Sequence, residues 1–476
     1  MGFFQGIQNL MRFVSGFPNP DDIYGTIAAR AEVIGRARSY RVGEQEKQLK
    51  TIPGRSDDNL RCNLVRKAIN QSVYLLVGKG VDFDLPGDTE TPEEIWLNAV
   101  WDANKKSILL HRAAQNAAEA GNGYLKIVPG GAIRKINNRE VPLPRLVNID
   151  PMWVEMDTNP EDFEQVIRYT IRFSTIGPDG KERLRKQVIE YQDNDADGYW
   201  IIADYYNDHT TSGKWMLMQE IKWDYPFAPM IEWQNLPSPN SVYGEPDITN
   251  DVIELQDRLN FVASNINKII RHHAHPKSWG INISLPPRKK EDQESSWNPE
   301  EMVIFQGGED AKIGNLEMQS DLKSSMEFFD TISKSILDNT STVDVNNLKD
   351  KLGQLTNFAV KVLFNDALLK MNVKRELMGN MLTELNSRLL ELGGFANTDP
   401  GVVVWPRDIL PVNEKEIIEM QKTELEIGVV DKQTIAAERG RDWEQVQERL
   451  AEEKENTEDI SAQIVRMFER GTPNEM

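Results

Sequence analysis

Cysteine is nearly absent from this chain: Cys62 is the single thiol in 476 residues. One thiol excludes an internal disulfide framework and fits a reducing compartment. Histidine is scarce too, with five in the chain. No apolar run reaches the length of about 18 residues that a membrane-spanning helix needs. The N-terminal stretch MGFFQGIQNLMRFV is apolar but short, and Gln5, Gln8 and Asn9 interrupt it. It has neither a charged leading region nor a small-residue cleavage site, so it reads as an amphipathic docking helix rather than a signal peptide. Positive charge is in short supply: 55 Lys and Arg against 75 Asp and Glu leave a net charge of −20. Tight wrapping of nucleic acid relies on cations that displace counterions from phosphate, and this balance argues against it. It is compatible with a protein past which DNA slides without sticking.

The motifs of common enzymes are missing. There is no G-x-x-x-x-G-K-[ST] phosphate loop, no G-x-G-x-x-G after a strand, no G-x-S-x-G elbow and no H-E-x-x-H pair. Cys62 falls in an apolar, helix-like stretch and is expected to pack rather than attack. Two stretches invite a metal reading. In RHHAH, His272 and His275 stand at i, i+3, and a helix end where basic residues meet the negative dipole explains them equally well. In DNDADGYWIIAD, Asp193, Asp195, Asp197 and Asp204 match a calcium-loop spacing. Strand-like residues flank that loop where helices should be, so an acidic hairpin loop is the preferred reading.

What the chain does contain is an ordinary globular mixture, 39% hydrophobic and 27% charged, long enough for several domains. Residues 1–123 carry apolar residues at helical spacing, in DDIYGTIAARAEVIGRARSY, DNLRCNLVRKAINQSVYLLVG, TPEEIWLNAVWDAN and SILLHRAAQNAAEAG. Residues 124–235 switch to alternation, in YLKIV, RLVNID, WVEMD, QVIRYTIRFS, RKQVIEYQ, YWIIADYY, KWMLMQEIKW and MIEWQN, with GPDGK as a hairpin turn. The class is therefore α+β.

Between Pro246 and Pro276 the apolar residues are Ile248, Val252, Leu255, Leu259, Val262, Ile266 and Ile269, stepping alternately by four and three. That is a coiled-coil seam on a helix opening at Pro246, about 39 Å long. A seam this narrow is expected to pack against a partner helix and a neighbouring copy rather than into a globular core. An irregular insert with two strand candidates and the basic triplet Arg288, Lys289 and Lys290 follows. DLKSSMEFFDTISKSILDNT then forms a second helix, and a polar break holds Asp344, Asn346, Asn347, Lys349 and Lys351. A third helix is expected from Leu348 to Leu392, with bends at Gly353 or Gly379. From Glu414 the tail is helical and acidic, with 17 Asp and Glu against 9 Lys and Arg, and Gly428 and Gly440 divide it.

Three segments carry a likeness. PMIEWQNLPSPNSVYGEPDITNDVIELQDRLN, DKQTIAAERGRDWEQVQERLAEEKE and NQSVYLLVGKGVDF, in this helix–insert–helix–loop–helix order, resemble the portal proteins of siphovirus-like tailed bacteriophages. LKDKLGQLTNFAVK stands where relatives often carry S-G-x-A-L. The resemblance implies a wing over residues 1–245, with a long wing helix and return over 351–413. It implies stem helices at 246–274 and 319–339, a clip at 275–318, a tunnel loop at 340–350 and a crown at 414–476. It also implies a ring of about twelve copies at a capsid vertex of the virion, assembled in the host cytoplasm, through which double-stranded DNA is packaged and ejected. The implied partners are the terminase large subunit and a head-completion adaptor at the clip, and the major capsid and scaffolding proteins, with no cofactor and no membrane. Two other readings compete: a metal-dependent hydrolase or nuclease built on His272, His275 and the aspartates, and a filament or scaffold protein without a channel.

Overall fold

The change of period expected near residue 123 falls at Gly121. Helix α4 (Lys106–Ala120) buries Ala113, Ala114, Ala117 and Ala118 and stops where Gly121 takes φ +87°, its N–H bonded to the Ala117 carbonyl at 2.8 Å. Strand β2 (Asn122–Val128) starts at the next residue. The computed structural model describes residues 27–51, 57–86, 91–131, 133–136, 139–176, 180, 182–193, 198–207, 215–239, 241–274, 277–284, 306–316, 322–344, 357–395, 398–406, 409–410, 414–438 and 443–450. The N-terminal docking helix lies outside them.

Before α4 come α1 (Ile27–Val42), α2 (Leu64–Val77) and α3 (Pro92–Ala103). Helix α3 starts as its sequence dictates: Thr91 accepts from the Glu94 N–H, Pro92 takes the first turn, and Glu93 and Glu94 face the positive dipole end. Helix α2 is shorter than its periodicity suggests. Asn63 caps it by accepting from the Arg66 N–H at 3.0 Å, so Cys62 precedes the helix rather than lying inside it.

The alternating segments all form strands. Strands β6 (Val154–Asn159), β7 (Asp162–Ile176), β8 (Glu182–Gln192), β9 (Tyr199–Asn207) and β10 (Met216–Trp223) make an antiparallel meander in the order β10-β9-β8-β7-β6. The β7–β8 pairing opens at Ile176↔Glu182, so GPDGK joins neighbouring antiparallel strands. Strands β11 (Met230–Gln234), β2 and β5 (Arg145–Asn148) form a second sheet, and β3 (Ile133–Ile136) pairs with β4 (Arg139–Pro142). One core lies between the sheets, around Tyr169, Ile189, Trp200, Trp223 and Met230. The larger core gathers α2, α3, α4 and the helices described next. A pair with no signature in the sequence reading also appears: β1 (Asp82–Asp84) with β14 (Val402–Val404).

Helix α5 (Asn250–Ala274) starts four residues later than Pro246, because the Glu245 and Asp247 N–H groups are bonded to the Leu236 and Ala118 carbonyls, both at 2.9 Å. It leads into β12 (Lys277–Ser284), paired antiparallel with β13 (Gln306–Leu316), and α6 (Leu322–Asn339) returns against α5. The third helix is not continuous: α7 (Asn357–Leu363) and α8 (Asn365–Leu392) are separated at Phe364. Gly379 sits inside an unbroken, buried stretch of α8 and makes no break, while Gly353 lies outside the described residues. Helices α9 (Glu414–Ile427) and α10 (Lys432–Glu438) follow, with residues 443–450 helical, and Gly428 takes φ +79° between the first two. The chain divides into two compact units, Met1–Lys349 with Leu363–Arg407, and Asp350–Val362 with Asp408–Met476.

Candidate functional site

The segment between β11 and α5 is fixed residue by residue. The Asn235 N–H bonds to the Gly121 carbonyl at 2.7 Å, and its side chain donates to the Glu245 carbonyl at 3.1 Å. The Tyr243 hydroxyl accepts from the Met156 N–H at 2.9 Å, and Arg30 stacks 3.6 Å from the centre of its ring. The Gly244 N–H donates to Asn122 at 2.9 Å. A Cβ built on Gly121 would lie 2.1 Å from the Gly244 carbonyl oxygen, and one on Gly244 would lie 2.7 Å from that of Gly121. Backbone touches backbone here, and only glycine allows it.

Asp247 closes this segment. Its N–H bonds to the Ala118 carbonyl at 2.9 Å, and its carboxylate is fully buried. Lys374 of α8 reaches both carboxylate oxygens at 2.6 Å and the Ser72 hydroxyl at 2.7 Å, and Lys370 approaches at 3.0 Å. Burial alone would raise the Asp247 carboxyl, but the two ammonium charges outweigh it and hold it well below the usual carboxylate range. Burial pushes Lys374 down to about 8, against the pull of Asp247. Lys370 also donates to the Thr340 carbonyl at 3.3 Å, where α6 ends. Ser341 then turns the chain at φ +53°, the Thr342 N–H bonds back to the Leu337 carbonyl at 2.8 Å, and the Val343 N–H bonds to Gln71 at 3.1 Å. Asp344 pairs with Lys67 at 2.6 Å. The start of α5, the end of α6, α2 and α8 thus meet in one polar knot.

A row of polar side chains runs down α5. The side chain of Asn260 accepts from the Cys62 N–H at 2.9 Å, Gln256 accepts from the Leu64 N–H at 3.1 Å, and Ser264 accepts from the Leu60 N–H at 2.9 Å. Asn267 and Arg271 continue the row to the Asp58 carbonyl and carboxylate, at 3.1 and 2.6 Å. The backbone of residues 58–64 is therefore bonded to a helix face as it would be to a neighbouring strand. Burial pushes the Cys62 thiol up, so it is a poor nucleophile.

With this geometry in hand, a family model described as phage portal protein, SPP1 Gp6-like, matches residues 28–459. The chain belongs to the phage portal proteins. Among proteins with curated descriptions none matches it. A portal protein is a structural component of the virion at the capsid vertex, where head and tail connect.

The structure places the expected portal residues unevenly. In the seam, Ile248, Val252, Leu259 and Val262 are buried in this chain's own core. The expectation that so narrow a stripe must be covered by a neighbour fails for these four. The polar row widens the covered face, and residues 58–64 lie against it. Leu255 and Ile266 are half-buried against the same core, Ile269 is half-buried, and Ile270, Met326 and Phe328 are about half exposed. Asp344 is described; Asn346, Asn347, Lys349 and Lys351, and Arg288, Lys289 and Lys290, lie outside the described residues.

The calcium loop is corrected at Asp204. It stands in the middle of β9, opposite Gln187, from which it accepts a hydrogen bond at 2.8 Å. Asp193 follows the last residue of β8, and the five residue steps of strand from Tyr199 to Asp204 span about 16 Å. Asp195 and Asp197 lie outside the described residues, as does His275, and the side chain of His272 is likewise not described. Among the described residues no group of three or more His, Cys, Asp or Glu is placed to hold a metal, and no helix is long and apolar enough to cross a membrane. The family match lends the hydrolase reading no support. The polar row on α5 went unread because solvent-facing residues on any helix show the same four-residue spacing.

Proposed function

We propose that this portal protein closes into a ring of about twelve copies whose central channel carries double-stranded DNA during packaging and ejection. The observation that supports this reading is the antiparallel α5–α6 pair. It bears the β12–β13 strands at one end, and at the other ends in a turn fastened to α2 and α8. In this reading α5 and α6 are the stem and residues 275–318 are the clip. Arg288, Lys289 and Lys290 of the clip meet the terminase large subunit and later the head-completion adaptor. Residues 340–350 face the DNA, and Lys349 and Lys351 touch its backbone transiently along an otherwise acidic wall. The wing, residues 1–245 with 351–413, and the crown, residues 414–476, complete the subunit and meet the capsid and scaffolding proteins during assembly in the host cytoplasm. Leu255, Ile266 and Ile269, with the exposed Ile270, Met326 and Phe328, form the subunit contact in the stem. A ring repeats one heterologous contact until it closes.

Electron microscopy of the purified protein tests the central claim: closed rings with a central hole are expected, and open polymers would point to a scaffold instead. Changing Lys349 and Lys351 together to Glu is expected to lower packaging efficiency or DNA retention. Unaltered packaging and retention would remove both residues from the channel.

A further inference from the structure

The five-stranded meander has two edges, and the chain treats them differently. At β6 the outward backbone is engaged: Arg30 donates to the Val154 carbonyl at 3.0 Å, and the Met156 N–H donates to the Tyr243 hydroxyl at 2.9 Å. At β10 the strand pairs with β9 on one side, and among the described residues none bonds to its outward N–H and C=O groups. The side chains are open as well: Leu217, Met218 and Ile221 are 53%, 55% and 44% exposed. A bare edge of this kind is a template for another strand, so its unpaired backbone calls for an extended peptide as the occupant.

The sequence of β10 says which peptide. A bulge between Leu217 and Gln219 leaves a regular run from Gln219 to Trp223, centred on Ile221. Two copies of this run laid antiparallel about Ile221 set Ile221 opposite its own copy, Glu220 opposite Lys222, and Lys222 opposite Glu220. That pairing holds whichever way the Ile221 backbone groups point. Glu220 and Lys222 share one face of the strand, and among the described residues neither has an ion-pair partner; Lys222 rests over the Tyr199 ring, 4.2 Å from its centre. A lone charge on an edge turns like strands away. Two opposite charges two residues apart complement an antiparallel copy of themselves, and in a parallel copy in the same register they oppose like with like.

We propose that β10 pairs antiparallel with β10 of a second copy of this chain, centred on Ile221, joining the two meanders into one continuous sheet. The contact is isologous and closes at two copies. It is distinct from the heterologous contact a ring repeats, and it stands or falls separately from the ring.

Disulfide trapping in the full chain tests it, in a Cys62→Ala background. Under mild oxidation Ile221→Cys is expected to form covalent dimers about tenfold faster than Ile176→Cys, because the pairing brings two copies of position 221 within disulfide reach and keeps position 176 three strands away from the joint. Ile176 is the more exposed of the two, at 78%, so chance collisions favour the control. Adding Lys222→Glu sets like charges opposite each other on both sides of the centre and is expected to slow trapping about tenfold. Adding Glu220→Lys to that variant restores opposite charges and is expected to restore the rate. All these side chains are exposed, so the variants keep the fold. A denaturing gel counts covalent partners alone, so the result is the same whether or not rings form. Trapping at position 221 no faster than at position 176 overturns the pairing. So does a Lys222→Glu protein that is trapped at the full rate, or one that Glu220→Lys fails to rescue.

Discussion

Asp247 and Lys374 are ionised side chains held away from water, which is tolerable only while they hold each other. Lys374→Met should cost about 3 kcal/mol, the low end for a broken buried pair, because Lys370 still reaches the carboxylate. Denaturant unfolding measures it. The pH dependence has a definite sign. Lys374 titrates in the folded chain at about 8, below its ordinary 10.5, so between those values the unfolded chain binds more protons and stability rises with pH. That rise should vanish in Lys374→Met. Asp247 works at the other end: its folded value lies below the ordinary 3.8, so its contribution is in place above 3.8 and is lost only as pH falls through the depressed value. At this scale the sequence was partly legible. Asp247 lay inside the YG-x-x-D-I segment, but its two lysines stand more than a hundred positions away, beyond the reach of any local pattern. Asp204 shows how context decides a motif: the calcium-loop spacing ends on it, but the alternation of YWIIADYY puts it inside a strand, in keeping with the preferred reading of an acidic hairpin loop.

Elements were easier to read than their partners. Alternation located β2 and β5–β11 because one sheet face must be apolar, and the Thr91-Pro92 and Gly121 signals bounded α3 and α4. Pairing was invisible wherever the strands were three residues long and far apart, as with β1 and β14. Helix α5 is the instructive case. Its apolar steps were plain, but what covers them depends on Gln256, Asn260 and Ser264, which serve as hydrogen-bonding partners for an extended segment. Gln256→Leu should remove the two bonds that tie the Leu64 N–H and the Cys62 carbonyl to α5, at about 1 kcal/mol each, leaving those two groups only their bond to each other. Hydrogen exchange should quicken at the amides of residues 60–64 while the α8 amides keep their protection. Unchanged exchange there would mean that packing alone holds the segment.

At the scale of the whole molecule, the acidic balance of −20 and the shape of the stem bear on how copies meet. Self-repulsion among strongly acidic chains weakens with salt. Ring assembly is therefore expected to be favoured by moderate salt, which sedimentation at several ionic strengths would register. The same measurement separates two events. Four residues of the α5 stripe, Ile248, Val252, Leu259 and Val262, are already dry inside their own subunit. A subunit built this way does not need its siblings in order to mature. Dilution should release intact monomers with a native heat-denaturation profile, rather than molten chains, and nucleation of the toroid becomes a docking problem set by concentration and by whatever vertex seeds it.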